Sequence, residues 1–272
     1  MTIIIIDFRP VFLVLGILLI VLSAGMGIPA VVDLYSGNPD WAAFAVSAAF
    51  TLFVGAATVM TTRTGEVTLT LRQAFLLTTL SWIVLPVFAC LPFMISDFRL
   101  SFTDAFFEAM SGITTTGATV ITGLDSAPPG LLLWRSILQW LGGLGIIIMA
   151  LTILPMLKVG GMQMFKVEGF EAQEKVLPRA TQVAAALVMV FIGLTALWAL
   201  LYWAAGMNSL DAITHAMTTI ATGGYSTHDA SIGHFDSGTI DFIATVGMIV
   251  GGLGSLFFSR FQFDGNRDIQ IP

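Results

Sequence analysis

Two stretches decide how this chain folds: ITTTGATV at Ile113–Val120 and ATGGYST at Ala221–Thr227. Both are short, polar and rich in threonine and glycine, and each interrupts apolar sequence. Backbone without helical hydrogen bonds is tolerated at membrane depth only where protein buries it or it lines a water-filled path. The two stretches therefore read as re-entrant filter loops, and a pair of such loops points to ion conduction.

The flanking sequence supports a membrane setting. Of the 272 residues 56% are hydrophobic and only 10% charged, with a mean hydropathy of +0.91, which excludes an ordinary soluble domain. Apolar runs of roughly 20 residues are long enough to cross a ~30 Å hydrocarbon core as helices, and the short alternating segments of a β-barrel are missing. The single cysteine, Cys90, lies in an apolar run. It excludes an intrachain disulfide and reads as a small buried hydrophobe.

Run length predicts six spanning helices, at Val11–Val32, Trp41–Met60, Gln73–Ile95, Leu131–Leu157, Ala180–Ala205 and Gly238–Phe258. Ser101–Ile113 and Ser209–Ile220 are amphipathic and too short to span, so they suit half-helices that dip in and return. The expected fold is an all-α integral membrane protein in which two extra N-terminal helices precede two helix/pore-loop/helix repeats. The divisions are 1–70 for the first two helices, 71–160 for the first repeat, 161–179 for a cytoplasmic loop, 180–259 for the second repeat and 260–272 for a cytoplasmic tail.

Charge fixes the orientation. With the N-terminus cytoplasmic, the inner side holds Arg9, Arg63, Arg72, Lys158, Lys166, Lys175, Arg179, Arg260 and Arg267, leaving Arg99 and Arg135 outside, as the positive-inside rule requires. Asp33, Asp40, Asp97, Asp104, Glu108, Asp125, Asp211, Asp229, Asp236 and Asp241 then lie on or near the outer face. An acidic mouth raises the local cation concentration and repels anions. Asp104 and Asp211 each start a half-helix, where a carboxylate caps free N–H groups and complements the helix dipole.

The two loops are related by an internal repeat. Asp104-Ala105, Ala109 and Met110 match Asp211-Ala212, Ala216 and Met217 at a constant offset of 107, and the same offset pairs Thr115 with Thr222 and Gly117 with Gly224. A register one residue away would pair Gly117 with Gly223. A dehydrated cation needs several oxygens aimed at it, and successive carbonyls face one axis only in unusual backbone conformations that glycine permits. Gly117 and Gly224 supply that freedom, while threonine adds hydroxyl oxygens and β-branched stiffness. Farther on, Gly142-Gly143-Leu144-Gly145 matches Gly251-Gly252-Leu253-Gly254. Small residues there let another backbone approach closely, and packing is the first reading of both runs.

An enzyme does not fit. His215, His228 and His234 are read as outer-loop residues and Ser255 sits roughly 25 Å along the last helix, too far for a nucleophile and base to meet. Neither GxSxG nor HExxH occurs, and the histidine spacing is that of loop residues rather than metal ligands. No nucleic-acid partner is expected.

Three longer segments carry a resemblance: FFEAMSGITTTGATV, WRSILQWLGGLGIIIMALTILPMLKVGGMQMFKVEG and HAMTTIATGGYSTH. They resemble the pore subunit of the Trk/Ktr/HKT superfamily of potassium transporters, bacterial TrkH type, over nearly the whole chain. The resemblance implies potassium uptake across the bacterial cytoplasmic membrane, four filter loops round one pore, homodimeric assembly and a cytosolic nucleotide-binding regulatory subunit. The mixed charges of Lys158–Arg179 either offer that partner a docking face or form a solvated connector. It places the filter carbonyls on Thr115, Thr116 and Gly117 and on Thr222, Gly223 and Gly224, with potassium the transported ion and no organic cofactor. Family members that admit sodium often carry serine at the first-loop glycine, so Gly117 resembles the potassium-selective type.

The family chain has four such units and this sequence shows two. The family's gating loop, in its third unit, and its pore-facing arginine, in its fourth, have no counterpart here. The expectation is either a fragment or short form whose two units combine with two others, or a non-conducting half-subunit that needs a longer partner to complete the pore.

Overall fold

The computed structural model describes residues 7–63, 69–157 and 173–264, and among these the secondary structure is helical throughout. Nine α-helices follow in order: α1 Arg9–Tyr35, α2 Trp41–Thr62, α3 Leu71–Ala89, α4 Leu91–Ile95, α5 Phe102–Ile113, α6 Pro129–Leu157, α7 Gln173–Ala204, α8 Ser209–Ile220 and α9 Gly238–Asp264. Short 3-10 turns at Leu124–Ser126 and Ser231–Phe235 sit in the loops after α5 and α8.

Four segments, Arg9–Tyr35, Trp41–Thr62, Leu71–Ile95 and Ala185–Ala204, are long and apolar enough to cross a membrane, and Gly238–Leu253 is a shorter apolar helix. Large apolar side chains such as Phe53, Val31, Leu34 and Trp203 lie on the surface of these helices, as expected where lipid is the solvent. The two remaining expected spans fall on α6 and α9. Most of the 161–179 connection, including Lys166 and Glu171, lies outside the described residues, as does 265–272.

The structure corrects some boundaries. The expected helix Gln73–Ile95 is broken at Cys90 into α3 and α4. Pro92 has no N–H to donate and its ring conflicts with the carbonyl four residues earlier, which ends the regular helix there. Cys90 itself is buried, and its thiol lies 3.1 Å from the Val87 carbonyl. α7 begins at Gln173 rather than Ala180, and α9 continues to Asp264, into the expected tail. A capping box at Thr70 and Gln73, with both reciprocal bonds made, sets the start of α3.

α1 and α2 lie against one another where Gly16 meets Gly55. A side chain at Gly16 would stand 3.0 Å from the Gly55 carbonyl oxygen, and one at Gly55 3.0 Å from that of Gly16. Polar bonds reinforce the crossing: Ser23 Oγ donates to the Ala48 carbonyl at 2.8 Å. Such small-residue crossings stand in for hydrophobic driving force between helices in lipid. The buried core has two parts. One gathers round Trp134 of α6, whose indole N–H donates to the Ala89 carbonyl at 3.0 Å and whose ring meets Phe44 edge-on. The other gathers round Tyr202 and Trp198 of α7, against α8 and α9. Trp140 Nε1 donates to Thr195 Oγ1 at 3.0 Å and joins α6 to α7. Replacing Gly16 by Val should lower stability by about 1–3 kcal/mol through overpacking at this crossing, read as a lower thermal midpoint in detergent than for Leu71→Ala on the exposed start of α3.

Candidate functional site

The site is built from the ends of two short helices. α5 and α8 are each 12 residues long, and each starts at a polar cap. Ser101 Oγ accepts from the Asp104 N–H at 3.2 Å, and the Asn208 side chain accepts from the Asp211 N–H at 2.9 Å. The capping groups are therefore Ser101 and Asn208. Asp104 and Asp211, expected as caps, instead accept hydrogen bonds from those two side chains, each at 2.7 Å. At their other ends both helices point the negative pole of their dipole at the loop that follows, which favours a cation.

The two helix ends are closed by the same hydrogen bonds, 107 residues apart. Thr115 and Thr116 N–H groups donate to the Gly112 and Ser111 carbonyls, each at 2.9 Å. Thr222 and Gly223 N–H groups donate to the Thr219 and Thr218 carbonyls at 3.0 and 2.8 Å. This is the pattern that ends a helix on a left-handed residue, a position glycine usually fills. Here a threonine fills it twice: Thr115 and Thr222 both have φ of 55°, and the glycines two residues on, Gly117 and Gly224, have φ of 79° and 81°. Left-handed backbone at a β-branched residue is a genuine outlier that persists only where the surroundings enforce it. The left-handed angles thus recur at an offset of 107, at Thr115 and Thr222 and at Gly117 and Gly224.

The loops touch. A side chain at Gly117 would run into the Gly223 carbonyl oxygen, and one at Gly223 into the amide of Gln139. Gln139, fully buried in α6, accepts from the Tyr225 N–H at 3.0 Å through Oε1. The first glycine of each GGxG run lies beside the last carbonyl of a half-helix: a side chain at Gly142 would run into the Ile113 carbonyl, and one at Gly251 would stand 2.8 Å from that of Ile220. Close packing is thus what both positions do here.

Behind the loops stands a buried ion pair. Glu108 of α5 accepts from Arg135 Nε at 2.7 Å, and the two side chains are 0% and 1% exposed. Glu108 also accepts from the Thr119 hydroxyl at 2.9 Å and the Val120 N–H at 3.0 Å, which fixes the first loop. Arg135 NH1 donates to the Ser226 carbonyl at 2.7 Å, which fixes the second. Tyr225 reaches back: its hydroxyl donates to the Glu108 carbonyl at 2.8 Å, and its ring lies under the guanidinium, 4.2 Å from centroid to Cζ.

At the positions 107 residues beyond Glu108 and Thr119 stand His215 and Ser226, and they too are bonded, Nε2 to Oγ at 3.0 Å. His215 Nδ1 lies 2.8 Å from the Asp211 carbonyl, which can only accept, so that nitrogen carries a proton. His215 is buried in α8 and braces the second loop. It is not a residue of an outer loop, as the sequence had suggested.

The loops are also tied farther out, by the Asp229 carboxylate accepting from the Gly123 and Leu124 N–H groups at 3.0–3.1 Å. His228 Nδ1 lies 2.6 Å from Asp125, and this hydrogen bond holds the Asp125 carboxyl below its ordinary range. Sequence reasoning missed Arg135, Gln139, Tyr225 and the Glu108 brace. One signal was available: a lone arginine within an apolar run is a functional position by default.

All-helical architecture with several membrane-length helices defines a polytopic membrane protein. Comparison agrees. Residues 41–263 match the TrkH family, described as cation transport protein. The chain is 43% identical over 267 residues to the Trk system potassium uptake protein TrkH of Escherichia coli K12, covering 97% of this chain and 55% of that protein. It is 42% identical over 255 residues to TrkI of Halomonas elongata, covering 93% and 51%. The crystal structure of the potassium transporter TrkH from Vibrio parahaemolyticus superimposes with a TM-score of 0.81 at 41% identity, covering 90% of this chain and 50% of that one. The chain belongs to the TrkH family, whose members are transporters and not enzymes. It spans about half the length of the curated relatives it matches.

Removing one member of the buried pair leaves the other charge uncompensated, at about 3–5 kcal/mol. Arg135→Gln should therefore lose most folded, monodisperse protein in detergent, and adding Glu108→Gln should recover part of it. A double-mutant cycle on thermal midpoints measures the coupling, and additivity of the two changes would contradict it.

Proposed function

We propose that this chain contributes two of the filter loops of a potassium-conducting pore in a bacterial cytoplasmic membrane. The carrying observation is the pair of left-handed Thr–x–Gly backbones at Thr115–Gly117 and Thr222–Gly224, in contact at Gly117 and Gly223. In this reading the ion ligands are backbone oxygens of Thr115, Thr116, Gly117, Thr222, Gly223 and Gly224. The half-helix dipoles of α5 and α8 add negative potential. The relatives' names, potassium uptake proteins, support the choice of ion.

Residues 71–160 and 180–259 are read as two copies of one pore-loop unit, after two extra helices in 1–70, with the N-terminus cytoplasmic. Two loops leave one side of the ion path open, and unsatisfied backbone facing hydrocarbon costs several kcal/mol per group. Two further loops, from another stretch of polypeptide or a second copy, close the path. A cation entering gains about 2.3 kcal/mol per 100 mV of interior-negative potential, which suffices as driving force without a bound cofactor. A cytosolic nucleotide-binding subunit is the regulatory partner of this reading.

The test is potassium-limited growth and rubidium uptake in a strain lacking other potassium uptake, with this chain alone and with a complementary pore half. Uptake should vanish when the membrane potential is collapsed. Gly117→Ser should reduce potassium over sodium discrimination about tenfold, since ~1.4 kcal/mol of disturbed coordination suffices. Gly224→Ser should do less, because a side chain there meets open space and only the positive φ opposes it. Unaltered discrimination with Gly117→Ser would refute the filter assignment.

A further inference from the structure

The rim of the two loops carries a cluster that the ion path does not use. Asp125, in the 3-10 turn after the first loop, faces His228 and His234 from the second, and one donor atom from each lies within 4.8 Å of the others. His228 Nδ1 is 2.6 Å and His234 Nδ1 3.6 Å from the same oxygen, Asp125 Oδ1. The two imidazoles are stacked, 3.5 Å between centroids and 2° from parallel.

The surroundings are those of a metal ligand set. His228 presents its other nitrogen to the Asp211 carboxylate at 3.3 Å, and Asp211 is itself held by the Thr227 hydroxyl at 2.6 Å and the Asn208 amide at 2.7 Å. A carboxylate on the far nitrogen is the usual partner that orients a metal-bound histidine. Non-glycine residues with positive φ, Ser231 at 55° and Asp236 at 42°, bracket the turn that holds His234 over His228.

We propose that Asp125, His228 and His234 form a binding site for a divalent transition-metal ion of the zinc class, joining the first loop to the second. Two imidazole nitrogens and one carboxylate oxygen suit zinc, nickel or copper, whereas magnesium and calcium prefer oxygen alone. Zinc–nitrogen bonds of about 2.0–2.1 Å put tetrahedral ligands about 3.3 Å apart, between the two separations found here. Binding requires the rings to splay so that their lone pairs converge, and His234, 45% exposed, has room to turn. That exposure, with Asp125 at 49%, leaves a fourth position for water and makes the ion exchangeable. The bound ion reinforces the Asp229 bonds to Gly123 and Leu124 and stiffens the rim. The site stands whether or not the loops select potassium.

The experiment is calorimetric titration of zinc chloride into the full chain, purified in detergent on a tag without histidine and stripped with chelator. One saturable site per chain is expected, weakened about tenfold or more by His234→Ala and by Asp125→Asn. Zinc should also raise the thermal midpoint of the parent by mass action and not that of His234→Ala, whose metal-free midpoint serves as the folding control. Magnesium should give no saturable heat. Absence of saturable zinc binding to folded parent, equal affinity in both variants, or equal binding of magnesium would overturn the proposal.

Discussion

The loops depend on one ion pair. Glu108 and Arg135 are both buried, and two charges taken out of water cost several kcal/mol unless their hydrogen-bonding capacity is filled. Here the loops themselves supply partners beyond the pair. The carboxylate takes the guanidinium, the Thr119 hydroxyl and the Val120 N–H, while the guanidinium also takes the Ser226 carbonyl and stacks on Tyr225. The desolvation cost thus favours the loop geometry: displacing either loop takes hydrogen bonds away from a buried charged pair.

The same arrangement occurs 107 residues later with different chemistry. His215 takes the place of Glu108 and Ser226 that of Thr119, joined by a 3.0 Å hydrogen bond. A ring whose polar atoms are matched by Asp211 and Ser226 needs no counter-ion, so the second brace costs less than the first. Reach between the loops is correspondingly one-sided. Arg135 extends from α6 to Ser226, and Tyr225 returns from the second loop to the carbonyls of Glu108 and Ala118. The loops thus brace one another, and a side chain at Gly117 would run into the Gly223 carbonyl.

Run length alone located α1 and α2, and short amphipathic runs located both half-helices, which the offset of 107 then paired. These features are local, or repeat a local pattern, and so are written in consecutive residues. Cys90 was placed correctly as a buried hydrophobe, but the break beside it required reading Pro92 against the carbonyl of Phe88. The capping groups were read one turn too late, because a carboxylate and a serine or asparagine three residues apart can exchange roles. The brace was hidden for a different reason. Glu108 and Arg135 are 27 residues apart, and Arg135 and Ser226 are 91 apart, so their partnership exists only after α5, α6 and α8 pack. Counting Arg135 as an outer charge obscured its position within the apolar helix α6, and grouping His215 with His228 and His234 obscured its alignment with Glu108.

The choice of threonine at 115 and 222 follows from the same constraint. Glycine would reach φ of 55° freely, and a β-branched residue there costs of order 1–3 kcal/mol. Glycine would also leave the backbone free to take other conformations, so the carbonyls after each half-helix would be aimed only part of the time. Threonine restricts the chain, the helix-ending hydrogen bonds to Ser111, Gly112, Thr218 and Thr219 fix its sign of φ, and the buried braces prevent escape from the strained conformation. Glycine is kept for 117 and 224, two residues on, where φ of 79° and 81° turns the chain and, at 117, the neighbouring loop leaves no room for a Cβ. The sequence thereby gives up stability at two positions to hold a single backbone geometry, and the ion pair behind the loops makes that geometry tenable.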